Sequence, residues 1–248
     1  MQDIMKLFCL PYAGGSASSY LNWKNYISEK IDIIPIQLAG RGERFGDSPY
    51  SDFQEMADEC YTSICNKIDE NDYAIYGHSM GSWITYEICR RIYASSLKKP
   101  KHVFFSGNRP PYYNKADKRI HNLPKRDFVN EILKLGGGKR EILEDPNFGD
   151  IFVSILKNDY KLIEEYVCPK DKLIMECDVT ILNGIKDDYE YKELLAWSSC
   201  TTRKFDIQLF KGGHFFLVDD VEEVTHLLER KLLGRSVDNG NEKYINSI

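Results

Sequence analysis

Among the residues able to do chemistry, Ser79 has the most telling surroundings. It is the centre of Gly77-His78-Ser79-Met80-Gly81, preceded by the buried-strand pattern Tyr73-Ala74-Ile75-Tyr76 and followed by helical periodicity from about Ser82. A sharp strand-to-helix turn lifts a serine hydroxyl above the sheet. Its flanking glycines admit neighbouring backbone without a Cβ clash, and the helix N-terminus favours negative charge nearby. Such a serine becomes a nucleophile only when a base can take its proton. Five histidines compete for that role. His78 adjoins the serine, and successive side chains diverge at a tight turn. His102 opens a strand, the wrong end of a parallel sheet for a site, and His121 and His226 fall in helical segments. His214, in Lys211-Gly212-Gly213-His214-Phe215-Phe216 after the last strand, shares the sheet edge of Ser79 and is the candidate base.

A third group should hold the imidazole in the right tautomer and stabilise the imidazolium. Ile181-Leu182-Asn183-Gly184-Ile185-Lys186-Asp187-Asp188 supplies it after the penultimate strand, with Asp187 the first candidate and Asp188 its competitor. The order Ser79, Asp187, His214 is that of serine hydrolases with the α/β-hydrolase fold. Two backbone N–H groups should stabilise a tetrahedral oxyanion. Met80, directly after the nucleophile, offers one. Leu10-Pro11-Tyr12-Ala13-Gly14-Gly15-Ser16 ends an earlier strand and offers Ala13 as the other.

The elements that must position these residues follow from periodicity. Strand-like runs at Leu7–Leu10, Ile31–Leu38, Tyr73–Tyr76, Val103–Phe105, Val179–Leu182 and Phe205–Phe210 alternate with helical ones. The helical runs are Tyr20–Ile27, Phe53–Ile68, Trp83–Tyr93, Tyr189–Trp197 and Val221–Leu233. This alternation implies an α/β fold with a mostly parallel, doubly wound sheet. Pro35 predicts an edge or a bulge in its strand, because proline removes a ladder donor. From Asn108 to Pro169 no strand is evident, while Arg126–Leu135 and Phe148–Tyr166 are helical and Gly136-Gly137-Gly138 interrupts them. That interval predicts a helical lid inserted into a domain spanning residues 1–234; ordinary crossover helices with long loops are the alternative. Residues 235–248 are polar and aperiodic, as in a disordered tail.

Composition bounds the function. A net charge of −5 gives no global attraction to nucleic acid or anionic lipid, and no apolar run approaches a membrane span. Seven cysteines without a Cys-x-x-Cys pair, behind an N-terminus unlike an export signal, suggest reduced thiols in a cytoplasm. Gly40-Arg41-Gly42-Glu43-Arg44 lacks the Lys-Ser/Thr ending of a phosphate loop, and no His/Cys cluster has zinc spacing. No cofactor or metal is implied.

Several stretches together carry a resemblance. Leu10–Ala17, Gly40–Arg44, Gly77–Gly81 and Gly212–Phe216, with Leu135-Gly136-Gly137, Glu141-Ile142-Leu143, Asn158-Asp159-Tyr160 and Tyr166 between them, resemble the type II (external) thioesterases of nonribosomal peptide and polyketide synthesis. The resemblance covers about residues 5 to 233. It departs at Ala39, where proline is usual, and at Asn158, where arginine is common. It implies an acyl group thioesterified to the phosphopantetheine arm of a carrier protein as substrate, a lid guarding the acyl pocket, and removal of stalled or misprimed acyl groups. The triad alone does not separate a thioester from an oxygen ester, so a small-molecule esterase or an acyltransferase on the same fold are the alternatives. Carrier domains are typically acidic, and Lys115, Lys118, Arg119, Lys125 and Arg126 offer a local basic surface to meet one.

Overall fold

The computed structural model describes residues 4–113 and 118–234. The residues proposed as a tail, and Lys115 of the basic cluster, lie outside them. Six parallel strands form one sheet in the order β2-β1-β3-β4-β5-β6. They are β1 Met5–Leu10, β2 Ile31–Pro35, β3 Tyr73–His78, β4 His102–Ser106, β5 Asp178–Gly184 and β6 Phe205–Phe210. Pro35 ends β2, an edge strand, where its missing N–H costs no ladder bond.

Strand side chains alternate faces, and the chain uses both. Phe8, Leu10, Ile75, Val103 and Phe105 enter one core with Met56 and Cys60 of α1 (Phe53–Cys65), and Ile84 and Ile88 of α2 (Met80–Ala94). Leu7, Cys9, Ala74, Tyr76 and Phe104 enter the other, against Tyr20 and Trp23. Those two aromatics sit on a 3-10 segment, Ala17–Asn25, where periodicity alone suggested an α-helix. Tighter winding nearly eclipses positions i and i+3, and it stacks Tyr20 edge-on to Trp23 at 4.9 Å over the sheet.

Between β4 and β5 the chain forms α3 (Lys125–Lys134), α4 (Arg140–Leu143) and α5 (Gly149–Glu165), with no strand among the described residues. Phe128, Val129, Ile132, Leu143, Val153 and Leu156 give these helices a core of their own. The triple glycine is a helix stop: Gly136 N–H bonds the Leu133 carbonyl, Gly137 N–H bonds that of Ile132, and Gly136 has φ +76°. This is the paired bonding of a Schellman cap. At the far end, Tyr166 donates to the buried Glu87 of α2 at 2.5 Å. The remaining helices are α6 (Tyr191–Leu195), α7 (Phe216–Asp219) and α8 (Val221–Leu233), the last ended by Gly234 in the left-handed region.

All seven cysteines are unpaired thiols. Burial raises the thiol pKa of Cys60 to about 12 and those of Cys177 and Cys200 to about 11, so these side chains behave as small neutral core residues. No helix among the described residues is long and apolar enough to cross a membrane.

His102 is 2.9 Å from the Thr180 hydroxyl and stacks on Phe104, and burial lowers its pKa from 6.5 to about 4. Between those values the unfolded chain binds a proton that the folded chain refuses. Its neutral form therefore contributes stability that is full above pH 6.5 and is lost as pH falls toward 4. Unfolding free energies of His102→Gln from urea titrations should decline less steeply across this window than those of the parent, by up to about 1 kcal/mol per pH unit. Parallel curves for the two proteins would refute the assignment.

Candidate active site

The turn from β3 into α2 is built on two glycines that no other residue could replace without moving backbone. A Cβ on Gly77 would lie 2.1 Å from the Gly81 carbonyl oxygen, and one on Gly81 would lie 2.3 Å from the Leu10 carbonyl oxygen. Ser79 between them has φ 54° and ψ −114°, the only positive φ outside glycine among the described residues. Its N–H donates to the Ser106 carbonyl at 2.7 Å, and its own carbonyl accepts from Asn108 Nδ2 at 3.1 Å. Ser82 Oγ lies 2.9 Å and 2.7 Å from the Gly77 and Ser106 carbonyls and ties the ends of β3 and β4 together.

The loops after β5 and β6 are equally close. A Cβ on Gly184 would meet the Gly213 carbonyl oxygen at 2.2 Å, and Lys186 N–H donates to the Gly212 carbonyl at 2.9 Å. A turn closed by Asp187 N–H to the Gly184 carbonyl then points Asp187 at His214. Asp187 Oδ2 is 2.9 Å from His214 Nδ1, and both side chains are largely buried. Asp188 is exposed, and its N–H donates to Asp187 Oδ1 at 2.9 Å. Of the tandem acids, Asp187 is the one brought to the histidine.

His78 lies beneath this pair. Its ring is fully buried, 5.0 Å from that of His214, with Nδ1 2.8 Å from Ser106 Oγ. Burial first, and the proximity of His214 second, hold its pKa well below the ordinary histidine value. It is a neutral packing partner for His214. His121 is remote in role, its Nδ1 held by Glu164 at the edge of the α3–α5 unit.

Beside Ser79, residues 12–15 form a turn in which Gly15 N–H donates to the Tyr12 carbonyl at 2.9 Å and Gly14 has φ +75°. A positive φ at the third position is what a type II turn requires. Ala13 thus sits next to the N-terminus of α2, where the Met80 N–H is among the orphan donors of the first turn. Ser79, His214, Tyr12 and Ala13 open on a cavity of about 480 Å³. Ile132, Leu135, Ile142, Leu143, Phe152, Ile155 and Leu156 of the α3–α5 unit and Phe215 make most of its wall, with Lys139 and Asp219 among the few charged side chains.

Comparison with known proteins matches residues 5–232 to the thioesterase domain family. The chain belongs to the thioesterase family. This thioesterase is 32% identical to gramicidin S biosynthesis protein GrsT of Aneurinibacillus migulanus over 92% of its own length and 89% of that protein's. It is 28% identical to the medium-chain S-acyl fatty acid synthase thioesterase of Rattus norvegicus, covering 87% and 82% of the two chains. Among solved structures, ClbQ of the colibactin nonribosomal peptide and polyketide pathway superposes with a TM-score of 0.88 at 33% identity, over 93% of this chain and 98% of that one. RedJ, the prodiginine-pathway thioesterase of Streptomyces coelicolor, gives 0.83 at 27% identity, over 92% and 85%. The parallel sheet and its helices are the α/β-hydrolase fold of these thioesterases.

Both positions at which the sequence was expected to depart from the type II pattern have a local setting. Ala39 N–H donates to the Tyr50 hydroxyl at 3.1 Å, a bond proline could not make, and Asn158 Nδ2 reaches the Tyr50 carbonyl at 3.5 Å. Sequence reasoning missed how Ser82, Ser106 and Asn108 brace the turn. It also singled out Arg41 and Asp159 in separate motifs without pairing them, although they form a buried ion pair. Their only signal was a charged residue in each of two otherwise unexplained motifs.

The close approach at Gly77 makes a direct test of the turn. Gly77→Ala should lose about 3 kcal/mol or more of stability by overpacking. Gly46→Ala, where a Cβ would meet nothing within 4 Å, should melt within a degree or two of the parent. Equal melting temperatures for the two variants would show that the turn relaxes freely.

Proposed function

We propose that this thioesterase hydrolyses acyl groups from the phosphopantetheine arms of carrier proteins, with Ser79 as nucleophile, His214 as base and Asp187 as its orienting acid. The observation that carries this reading is the opening of Ser79 and His214 on one largely apolar cavity while Asp187 holds Nδ1 of the same histidine. Asp187 accepts from Nδ1, which leaves Nε2 to take the Ser79 proton as Oγ attacks the thioester carbonyl. The N–H groups of Met80 and Ala13 receive the developing oxyanion. Collapse expels the pantetheine sulfur, which leaves with the proton from His214, and the acyl group remains as an ester on Ser79. Water, deprotonated by His214, then attacks that ester and releases the acid. The cofactor-like group is thus carried by the substrate, and the protein's own residues supply every proton transfer.

The α3–α5 unit acts as the lid over the acyl pocket, since its apolar side chains form most of the cavity wall. The similarity to GrsT and ClbQ supports carrier domains as partners, and removal of stalled or misprimed acyl groups as the task. Seven unpaired thiols support a cytoplasmic setting. The basic surface for carrier docking is less cationic than its sequence, because Lys118 pairs with Glu131 at 3.0 Å and Lys125 with Asp150 at 2.6 Å.

Ser79→Ala and His214→Ala should each lower turnover of an acyl-carrier by roughly 10⁴-fold or more with the fold intact by circular dichroism. Asp187→Asn should also be severe, and Asp188→Asn mild. A crippling Asp188→Asn beside a mild Asp187→Asn would move the acid by one residue. Normal hydrolysis by Ser79→Ala would end the mechanism.

Reversing Lys118, Arg119 and Lys125 to Glu should slow hydrolysis of an acyl-carrier and make the remaining rate less salt-sensitive, while leaving acyl-pantetheine hydrolysis nearly unchanged. Equal losses on both substrates, or no loss on either, would remove the docking surface.

A further inference from the structure

Leu156 and Asp159 lie one turn apart on the same face of α5, and both bear on Gly14. A Cβ on Gly14 would sit 2.6 Å from Leu156 Cδ2, and the Gly14 N–H donates to Asp159 Oδ2 at 2.8 Å. The same carboxylate is clamped by Arg41, with Nη1 2.5 Å from Oδ2 and Nη2 2.7 Å from Oδ1. Asp159 is 0% exposed and Arg41 6%. Arg41 also reaches the Gly15 carbonyl through Nη1 at 3.4 Å and the Ala39 carbonyl through Nε at 3.3 Å. Three segments distant in the sequence therefore meet at one carboxylate, and one of them, at Gly14, lines the cavity on which Ser79 opens.

Stability alone is a weak account of this pair. Two charges withdrawn from water recover their desolvation cost only with good geometry, and apolar residues of similar volume often do as well. The direction of the Gly14 N–H is what the pair determines. That N–H belongs to the same peptide unit as the Ala13 carbonyl, so holding it fixes the backbone on the C-terminal side of Ala13. The bond from Gly15 N–H to the Tyr12 carbonyl closes the turn around it. A loop tied at both points gives the Ala13 N–H one direction, and an oxyanion hole works through donors already aimed when charge develops.

We propose that Asp159, held by Arg41, is the positioning residue of the oxyanion loop, so that the hole is complete only when α5 is seated on Gly14. This inference rests on the assignment of Ser79 as nucleophile and Ala13 as donor. It gives α5 two tasks on one face. Leu156 walls the acyl pocket, and Asp159 sets the donor that serves the carbonyl of the acyl group lying there. An acyl group that displaces the helix loosens the hole and slows its own transfer, which makes pocket fit a control on rate as well as on binding.

The test compares two double variants, Arg41→Met with Asp159→Asn and Arg41→Met with Asp159→Ala. Both lack the buried charges, and only the first keeps an oxygen for the Gly14 N–H. Hexanoyl-pantetheine serves as substrate, at a temperature where both variants are folded by circular dichroism. The double variant carrying Asp159→Ala should show a kcat about 10- to 100-fold lower than the one carrying Asp159→Asn, at nearly equal KM. Equal kcat values, or a difference confined to KM, would overturn the inference. Should either double variant fail to fold, glycolic acid placed at position 14 by cell-free translation removes the same N–H with Asp159 and Arg41 intact. Its kcat should fall by a similar factor, and an unchanged kcat overturns the inference equally. Ser79→Ala assayed alongside separates the two readings. Hydrolysis by that variant sinks the nucleophile assignment itself, whereas a dead Ser79→Ala beside matched double variants sinks only the role of Asp159.

Discussion

Gly81 packs so tightly against the end of β1 that a side-chain carbon would fall 2.3 Å from the Leu10 carbonyl oxygen, and this contact sets the scale of everything around Ser79. The first turn of α2 is pressed onto the strand end, which places residues 11–15 beside the helix N-terminus. Gly77 makes the complementary contact with Gly81 from within the turn. Between the two glycines Ser79 has no ordinary backbone conformation available and takes φ 54°. Such a conformation costs on the order of 1–3 kcal/mol and persists only where its surroundings over-determine it. Here the bonds from Ser79 N–H to the Ser106 carbonyl and from Asn108 to the Ser79 carbonyl do so, with the Ser82 hydroxyl closing the gap between β3 and β4.

A parallel sheet brings the C-terminal ends of its strands to one edge, so loops after β1, β3, β5 and β6 converge there without further design. That much was legible in the sequence, because it depends on local signals. Alternation of strand and helix defined the fold, and glycines at fixed offsets marked Ser79. Even the awkward Pro35 told of an edge strand, which β2 is. The choice between Asp187 and Asp188 was not legible. Two adjacent aspartates share composition and neighbours, and what separates them is a turn fixed by Gly212, a residue on another loop. The Arg41–Asp159 pair was hidden for the same reason, since its partners lie 118 positions apart and neither motif names the other. The triple glycine was legible as an interruption of the helical pattern, but its bonding was not: Gly136 and Gly137 satisfy the last carbonyls of α3 as a helix cap.

Discrimination in such a site has to come from the helices above the sheet. A thiol leaving group with a pKa near about 8.5 departs far more readily than an alkoxide, so thioester cleavage asks little of the general acid. A serine–histidine–aspartate set competent for oxygen esters is therefore competent for thioesters as well, and its geometry carries no preference for sulfur. On the proposed function, what differs from one acyl donor to another is whether the acyl group fits against Ile132, Leu143, Leu156 and Phe215, which line the cavity, and whether its carrier can present the arm at the cavity mouth. An apolar wall discriminates weakly between homologues, by about 1–3 kcal/mol per methylene. With α5 joining that wall to the oxyanion loop as proposed, the same small differences would act on the transition state as well as on the bound ester. In that arrangement a poor fit lowers kcat together with affinity, and the helix contact beside Gly14 adds a rate component to the selectivity of the wall.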